Sequence, residues 1–241
     1  MYKTIATEAR KKILEMIWKA GTSHIGSNLS VIDIATVLYE KADLSKDKII
    51  WSAGWKAATA YYFLARKGII PTQDLDTYCQ DGSRYIGLLE PTVKGVDCAG
   101  GSIGYGLPFG VGFALAKKFK QEEGKVYVIM SDGEMAIGTT WESALIAAHH
   151  NLDNLVVILD NNGFQAMGKT EDILYVPPYF ETQRIDGHDY LQISDALNMG
   201  GWIYADTIKG KGVSFMEGNN DWHYRTVDKE SYELALKELG Q

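Results

Sequence analysis

Lys125-Val126-Tyr127-Val128-Ile129-Met130-Ser131 and Asn154-Leu155-Val156-Val157-Ile158-Leu159-Asp160 are two apolar runs with a helical pattern, Trp141 to His150, between them. Runs apolar at nearly every residue fit strands covered on both faces, and two of them joined through a helix spell a βαβ unit of a parallel sheet. Outward from this unit, Trp202 to Ile208 offers a further strand and Lys48-Ile49-Ile50-Trp51-Ser52 a short one. Ile5, Ala9, Ile13, Met16 and Ile17 recur every three or four residues and predict a first helix ending near Ala20-Gly21. Ser30 reads as the N-cap of a helix from Val31 to Lys41, Ala57 to Lys67 predicts another that Gly68 stops, and Phe113 to Lys120 a fourth. No repeat, low-complexity segment or Pro/Gly/Ser-rich linker divides the chain. The predicted fold class is α/β, a doubly wound, mainly parallel sheet with helices on both faces, in one domain over residues 1–241.

Composition narrows the function. The 241 residues are 46% hydrophobic and 23% charged, which excludes a disordered chain. A folded chain of this size exposes roughly 11,000 Å² and buries about 70% of the unfolded surface, so its core needs no disulfide or metal staple. The net charge of −7, with no basic run longer than the three residues Arg10-Lys11-Lys12 and pairs such as Lys117-Lys118 besides, repels nucleic-acid and membrane phosphates. Cys79 and Cys98 lack metal-ligand spacing and read as two inert thiols in a reduced compartment. The first residues show no signal-peptide core and no apolar run approaches 18 residues, so the expected location is the cytoplasm.

Ligands of open parallel sheets sit beyond the carboxyl ends of the strands. One strand ends in Ser131-Asp132-Gly133-Glu134 and the next in Asp160-Asn161-Asn162-Gly163, which predicts that Asp132 and Asn162 emerge side by side. A carboxylate, an amide oxygen and a backbone carbonyl suit Mg²⁺ or Ca²⁺ rather than zinc, and leave positions open for water and phosphate oxygens. The same residues also read as ordinary strand-to-turn chemistry. The glycine-rich stretch from Gly95 to Gly112 is equally open, as a tight structural turn or as a ligand cradle leading into a helix.

Taken together, the Asp132-Gly133 and Asn161-Asn162 pair resembles the signature of thiamine diphosphate enzymes, and the chain as far as Arg225 resembles the N-terminal, diphosphate-binding domain of transketolases. Ala20-Gly21-Thr22-Ser23-His24-Ile25-Gly26 is similar to A-G-x-G-H-P-G, Gly101-Ser102-Ile103-Gly104-Tyr105-Gly106 to G-S-L-G-Q-G, and Trp141-Glu142-Ser143-Ala144 to W-E-A-A. Thr207 to Glu217 resembles T-x-K-G-K-G-V-x-F-M-E, followed by Trp222-His223 for W-H. The resemblance implies Mg²⁺, with Ca²⁺ as a substitute, held by Asp132, the Asn162 side chain and the Phe164 carbonyl against the cofactor's diphosphate. It implies that Gly133 contacts the diphosphate and that Gly101, Ser102 and Ile103 line the cofactor's two rings. His223 matches a histidine near diphosphate and substrate, and His24 one that bonds substrate hydroxyls and assists proton transfer. His149 and His150 read instead as a helix C-terminus, His188 as a loop residue without a catalytic part, and Trp18, Trp51 and Trp141 as core.

The chain departs from the family pattern in four places. S-K-G-H is Ser52-Ala53-Gly54-Trp55, G-H-P is Gly87-Leu88-Leu89, and L-Q-E-G is Met135-Ala136-Ile137-Gly138, although Glu142 is kept. The segments around Val176–Asp186 and Asp189–Trp202 are short. A channel that binds sugars through hydrogen bonds has lost partners at Trp55 and Leu88. The family activates its cofactor with a glutamate of a pyrimidine-binding domain, which this chain lacks. The resemblance therefore implies a separately encoded pyrimidine-binding partner, an α₂β₂ assembly, and transfer of a two-carbon ketol unit between sugars or sugar phosphates. The alternatives are a 2-oxoacid decarboxylase or dehydrogenase subunit, or a non-catalytic partner subunit.

Overall fold

Both long apolar runs lie at the centre of a five-stranded sheet in the computed structural model, which describes residues 1–174 and 182–240. In chain order the elements are α1 (Tyr2–Ala20), α2 (Ile25–Ser30), α3 (Ile32–Lys41), β1 (Lys48–Trp51), α4 (Ala57–Arg66), α5 (Gly106–Lys120), β2 (Val126–Ser131) and α6 (Gly138–His149). Then follow β3 (Leu155–Asn161), the two-residue strands β4 (Phe164–Gln165) and β5 (Gly168–Lys169), α7 (Thr170–Ile173), β6 (Thr182–Asp186), α8 (Tyr190–Met199), β7 (Gly201–Asp206) and α9 (Lys229–Leu239). The sheet order is β1-β2-β3-β7-β6 and every pairing is parallel.

Strand side chains alternate between faces, and the buried residues divide accordingly. Ile129, Val156, Ile158 and Ile203 pack with α1, α3, α4, α8 and α9, whereas Val128, Met130, Val157 and Leu159 pack with α5 and α6. The apolar runs are thus covered on both sides, and each fully buried aliphatic side chain contributes about 1.5–3 kcal/mol. The doubly wound parallel sheet is as expected. No helix among the described residues is long and apolar enough to cross a membrane.

Three boundaries and one strand differ from the expectation. Ser30 is not an N-cap: it ends α2, and its hydroxyl donates to Asp160 at 2.5 Å, a tertiary bond that outweighs the local capping preference. Helix α5 begins at Gly106 rather than Phe113, because Pro108 falls in its first turn, where a missing N–H costs nothing. The last predicted strand stops at Asp206; Thr207 N still donates to Asn161 O at 3.1 Å before the chain leaves the sheet. Strand β6 has no counterpart in the sequence reading, since its Gln183 and Arg184 lack an apolar pattern at the sheet edge. Of the short segment Val176–Asp186, residues 176–181 lie outside the described residues.

A buried cluster ties α1, α3 and α8 together. The Arg10 guanidinium donates to both Asp33 oxygens at 3.1 and 2.6 Å, and Asp33 also accepts from the Tyr190 hydroxyl at 3.0 Å and bonds His188 Nδ1 at 2.8 Å. His188 Nε2 accepts from Ile208 N at 2.9 Å, so its part is structural. Trp51 is buried, Trp18 stacks on Tyr232 at 4.0 Å, and half-buried Trp141 donates to Met135 O at 2.9 Å. His149 and His150 are exposed at the end of α6, and burial raises both cysteine thiols, Cys98 to about 11.

Candidate active site

Parallel strands present their carboxyl ends at one edge, and the register pairs Ser131 of β2 with Asp160 of β3. Beyond that edge Asp132 and Asn162 stand together as predicted. Asp132 Oδ2 accepts from Gly163 N at 2.8 Å and from the Thr170 hydroxyl at 3.0 Å, while Asn162 Oδ1 accepts from Phe164 N at 3.1 Å. Burial, and then the charge of Asp160, push the Asp132 carboxyl up to about 6, against its bonds from Thr170 and Gly163 and the Lys56 charge. A carboxylate raised in this way is relieved by a cation beside it.

The turn after β2 is braced by Glu134, which is completely buried. With Ser131 it forms a capping box, accepting from Ser131 N at 2.8 Å, and its other oxygen accepts from Gly104 N at 3.1 Å and from the Ser52 hydroxyl. One side chain thereby joins β1, the glycine-rich loop and the Asp132 turn. That loop proves to be structural in one part and open in another. A Cβ on Gly54 would stand 2.1 Å from Gly100 O, so the two backbones touch and both positions require glycine. At Gly101 the nearest atom to an added Cβ is Leu88 Cδ1 at 3.6 Å, which leaves its face free.

Above this floor lies a cavity of about 270 Å³. His24, Gly101, Ile103, Gly133, Asn162, Phe164 and His223 all line it. Two expected residues do not. Ser102 is exposed beside the cavity, and Asp132 is buried beneath its wall. Trp55 and Leu88, which stand where the transketolase motifs have histidines, also line the cavity, whereas Leu89 belongs to the core. Ile137, in place of a motif glutamate, lies against Gly104.

His24 and His223 come together with ring centroids 5.0 Å apart, and His24 N donates to His223 O at 2.9 Å. His24 holds a left-handed backbone, φ 70°, which directs the chain into α2. Burial first, and then the Lys209 charge, lower His24 to about 4 and His223 to about 3, so both rings are neutral at neutral pH. Lys209 Nζ, itself lowered by burial to about 8, reaches Asn220 Oδ1 at 2.6 Å and His223 Nδ1 at 2.9 Å. An ammonium only donates, so Nδ1 accepts and the His223 proton sits on Nε2.

The sequence reading assigns no role to several lining residues, among them Lys56, Lys209 and Gln165. Lys209 lies within a quoted motif, but nothing local marks the other two. Gln165 Nε2 is buried without a partner, a donor suited to an anion. Among the described residues no three His, Cys, Asp or Glu side chains gather, so a metal here would draw on one carboxylate with amide and carbonyl oxygens. Lys209, an orphan donor and an oxygen-only ligand set fit a diphosphate bound through a hard cation.

Comparison with known proteins agrees with this geometry. Residues 1–240 match the family described as transketolase, thiamine diphosphate binding domain. The chain is 36% identical over 240 residues to one subunit of the apulose-4-phosphate transketolase of Actinobacillus succinogenes, covering 90% of this chain and 87% of that one. It is 33% identical over 259 residues to the 6-deoxy-6-sulfo-D-fructose transketolase subunit SqwG of Clostridium sp., covering 97% and 94%. Among solved structures, transketolase from Campylobacter jejuni superposes with a TM-score of 0.93 at 27% identity, over 99% of this chain but 43% of that one. The chain therefore belongs to the transketolase family and corresponds to its N-terminal, thiamine diphosphate binding domain.

Proposed function

We propose that this chain is the diphosphate-binding subunit of a two-subunit transketolase that moves a two-carbon ketol unit from a ketose or ketose phosphate to an aldose acceptor. The observation that carries the reading is the convergence of Asp132 and Asn162 beneath a cavity walled by two neutral histidines. Asp132, the Asn162 oxygen and the Phe164 carbonyl would hold Mg²⁺, or Ca²⁺ in its place. Gly133, His223 and the Gly101-Ser102-Ile103 loop would face thiamine diphosphate. When bound, that cofactor supplies a nucleophilic carbon and an electron sink for the transferred unit. The neutral His24 ring can accept a substrate hydroxyl proton, and His223 can donate a hydrogen bond from Nε2 while Lys209 fixes its tautomer. The side chains of Trp55 and Leu88 give the same space an apolar wall.

One domain of this kind supplies half of a thiamine site. We read the relatives' designation as subunits, together with the exposed Ile103 of the cavity wall and the exposed Tyr105 and Phe109 that follow it in the chain, as support for a separate pyrimidine-binding partner in an α₂β₂ assembly. The names of both relatives contain a sugar with an anionic end, a phosphate or a sulfonate, which is the substrate class expected here. The apolar wall of Trp55 and Leu88 favours, as second reading, decarboxylation of a 2-oxoacid.

The test is to express the chain alone and with candidate pyrimidine-domain partners, then assay two-carbon transfer from several ketose phosphates and release of CO₂ from 2-oxoacids. Transfer only in the pair is expected, with Asp132→Ala abolishing Mg²⁺-dependent cofactor binding. Activity of the chain alone would refute the partner, and CO₂ release without transfer would establish the second reading.

A further inference from the structure

The cavity floor holds an ion pair to which the functional reading gives no part. Lys56 and Asp160 are both completely buried, and the Lys56 ammonium bonds Asp160 Oδ2. Such a pair does little for stability by itself, because desolvating two charges offsets most of their attraction. Asp160, however, gathers more than Lys56. Its Oδ2 accepts from the Ser30 hydroxyl at 2.5 Å and lies 3.4 Å from Asn162 Nδ2, and its Oδ1 accepts from the Thr207 hydroxyl. Lys56 follows β1, Ser30 ends α2 and Thr207 follows β7, so three segments are tied to β3 through one carboxylate.

That carboxylate stands two residues before Asn162. It attracts the amide nitrogen and repels the amide oxygen, which turns Asn162 Oδ1 away toward Phe164 N. Lys56 supplies the positive charge that lets the carboxylate stay in a dry interior. It closes the 3₁₀ turn Gly54–Lys56, whose repeat of three residues places it on the same side as Ala53. Position 53 is where the transketolase motif S-K-G-H carries its lysine.

We propose that Lys56 and Asp160 are positioning residues of the metal-diphosphate site, acting by orienting the Asn162 amide, and that Lys56 provides from one 3₁₀ turn further on the charge the motif places at 53. This inference rests on the functional reading above. It is tested on the full chain with its partner, by measuring the dissociation constant of thiamine diphosphate with and without Mg²⁺ from tryptophan fluorescence, alongside the melting temperature. Lys56→Met and Asp160→Asn alone each leave a buried group uncompensated and melt below wild type. The double variant Lys56→Met/Asp160→Asn, neutral and close in shape, melts near wild type yet binds the cofactor with Mg²⁺ about 10–100-fold more weakly. Thr207→Val, which removes one donor to Asp160 without stranding a charge, gives a smaller loss in the same direction. Wild-type affinity in the double variant and in Thr207→Val would overturn the inference while leaving the function intact. Failure of the wild-type complex to bind thiamine diphosphate would overturn the functional reading, and this inference with it.

Discussion

His24 and His223 show how far a residue's surroundings change its chemistry. An imidazole ordinarily titrates near 6.5, but burial and Lys209 hold these two at about 4 and about 3. The unfolded chain then takes up protons first, so the penalty on folding is absent above about 6.5 and grows as pH falls toward 4. Asp132 has the opposite sign: raised from 3.8 to about 6, it takes up its proton first in the folded chain. Replacing His24 by asparagine removes one penalty and leaves the Asp132 contribution in place. The melting temperature of His24→Asn should therefore fall less than that of wild type between pH 6.5 and pH 4, and parallel curves would show that His24 is not held neutral. Both histidines, Asp132 and Asn162 were legible in the sequence because each lies in a short local motif. Lys56 and Gln165 were not, since what gives them meaning, Asp160 and an unpartnered donor beside Gly133, is supplied from distant segments.

At the scale of elements, strands and loops were legible to different degrees. The runs at 126–131 and 155–160 carry their own evidence of burial, since a strand apolar on both sides needs a layer on each face. The glycine-rich loop could not be apportioned between support and ligand contact until its neighbours were known. Gly54 and Gly100 are fixed by their mutual contact, Gly101 by the free space above it. Gly54→Ala should lower stability by about 1–3 kcal/mol, measured by calorimetry, because the new methyl group meets backbone rather than a side chain that can move aside. Cofactor affinity should fall with it, since the same displacement shifts Gly101. An unaltered melting temperature would show that the backbones are not in contact. Ser30 teaches the converse, a residue with good capping chemistry whose hydroxyl is taken up by Asp160.

At the scale of the whole molecule, α5 and α6 cover one face of the sheet yet expose Phe109, Phe119, Leu145 and Ile146. Under the two-subunit function proposed above, these exposed apolar side chains along two helices are the surface assigned to the partner. Leu145→Glu should weaken assembly with the pyrimidine-binding subunit, read by light scattering, while leaving the melting temperature of the isolated chain near wild type. A complex of undiminished affinity would place the interface elsewhere. The sequence by itself determined the parallel sheet, the meeting of Asp132 and Asn162 at its edge and the likeness to transketolases, because periodicity and short motifs are written in consecutive residues. Only the tertiary structure decided which glycines are support, that Trp55 and Leu88 face the cavity while Leu89 does not, and that one carboxylate, Asp160, ties three segments to the site. Asp160 reaches its partners across 47 to 130 positions of chain, where burial and charge act through space and leave no local pattern to read.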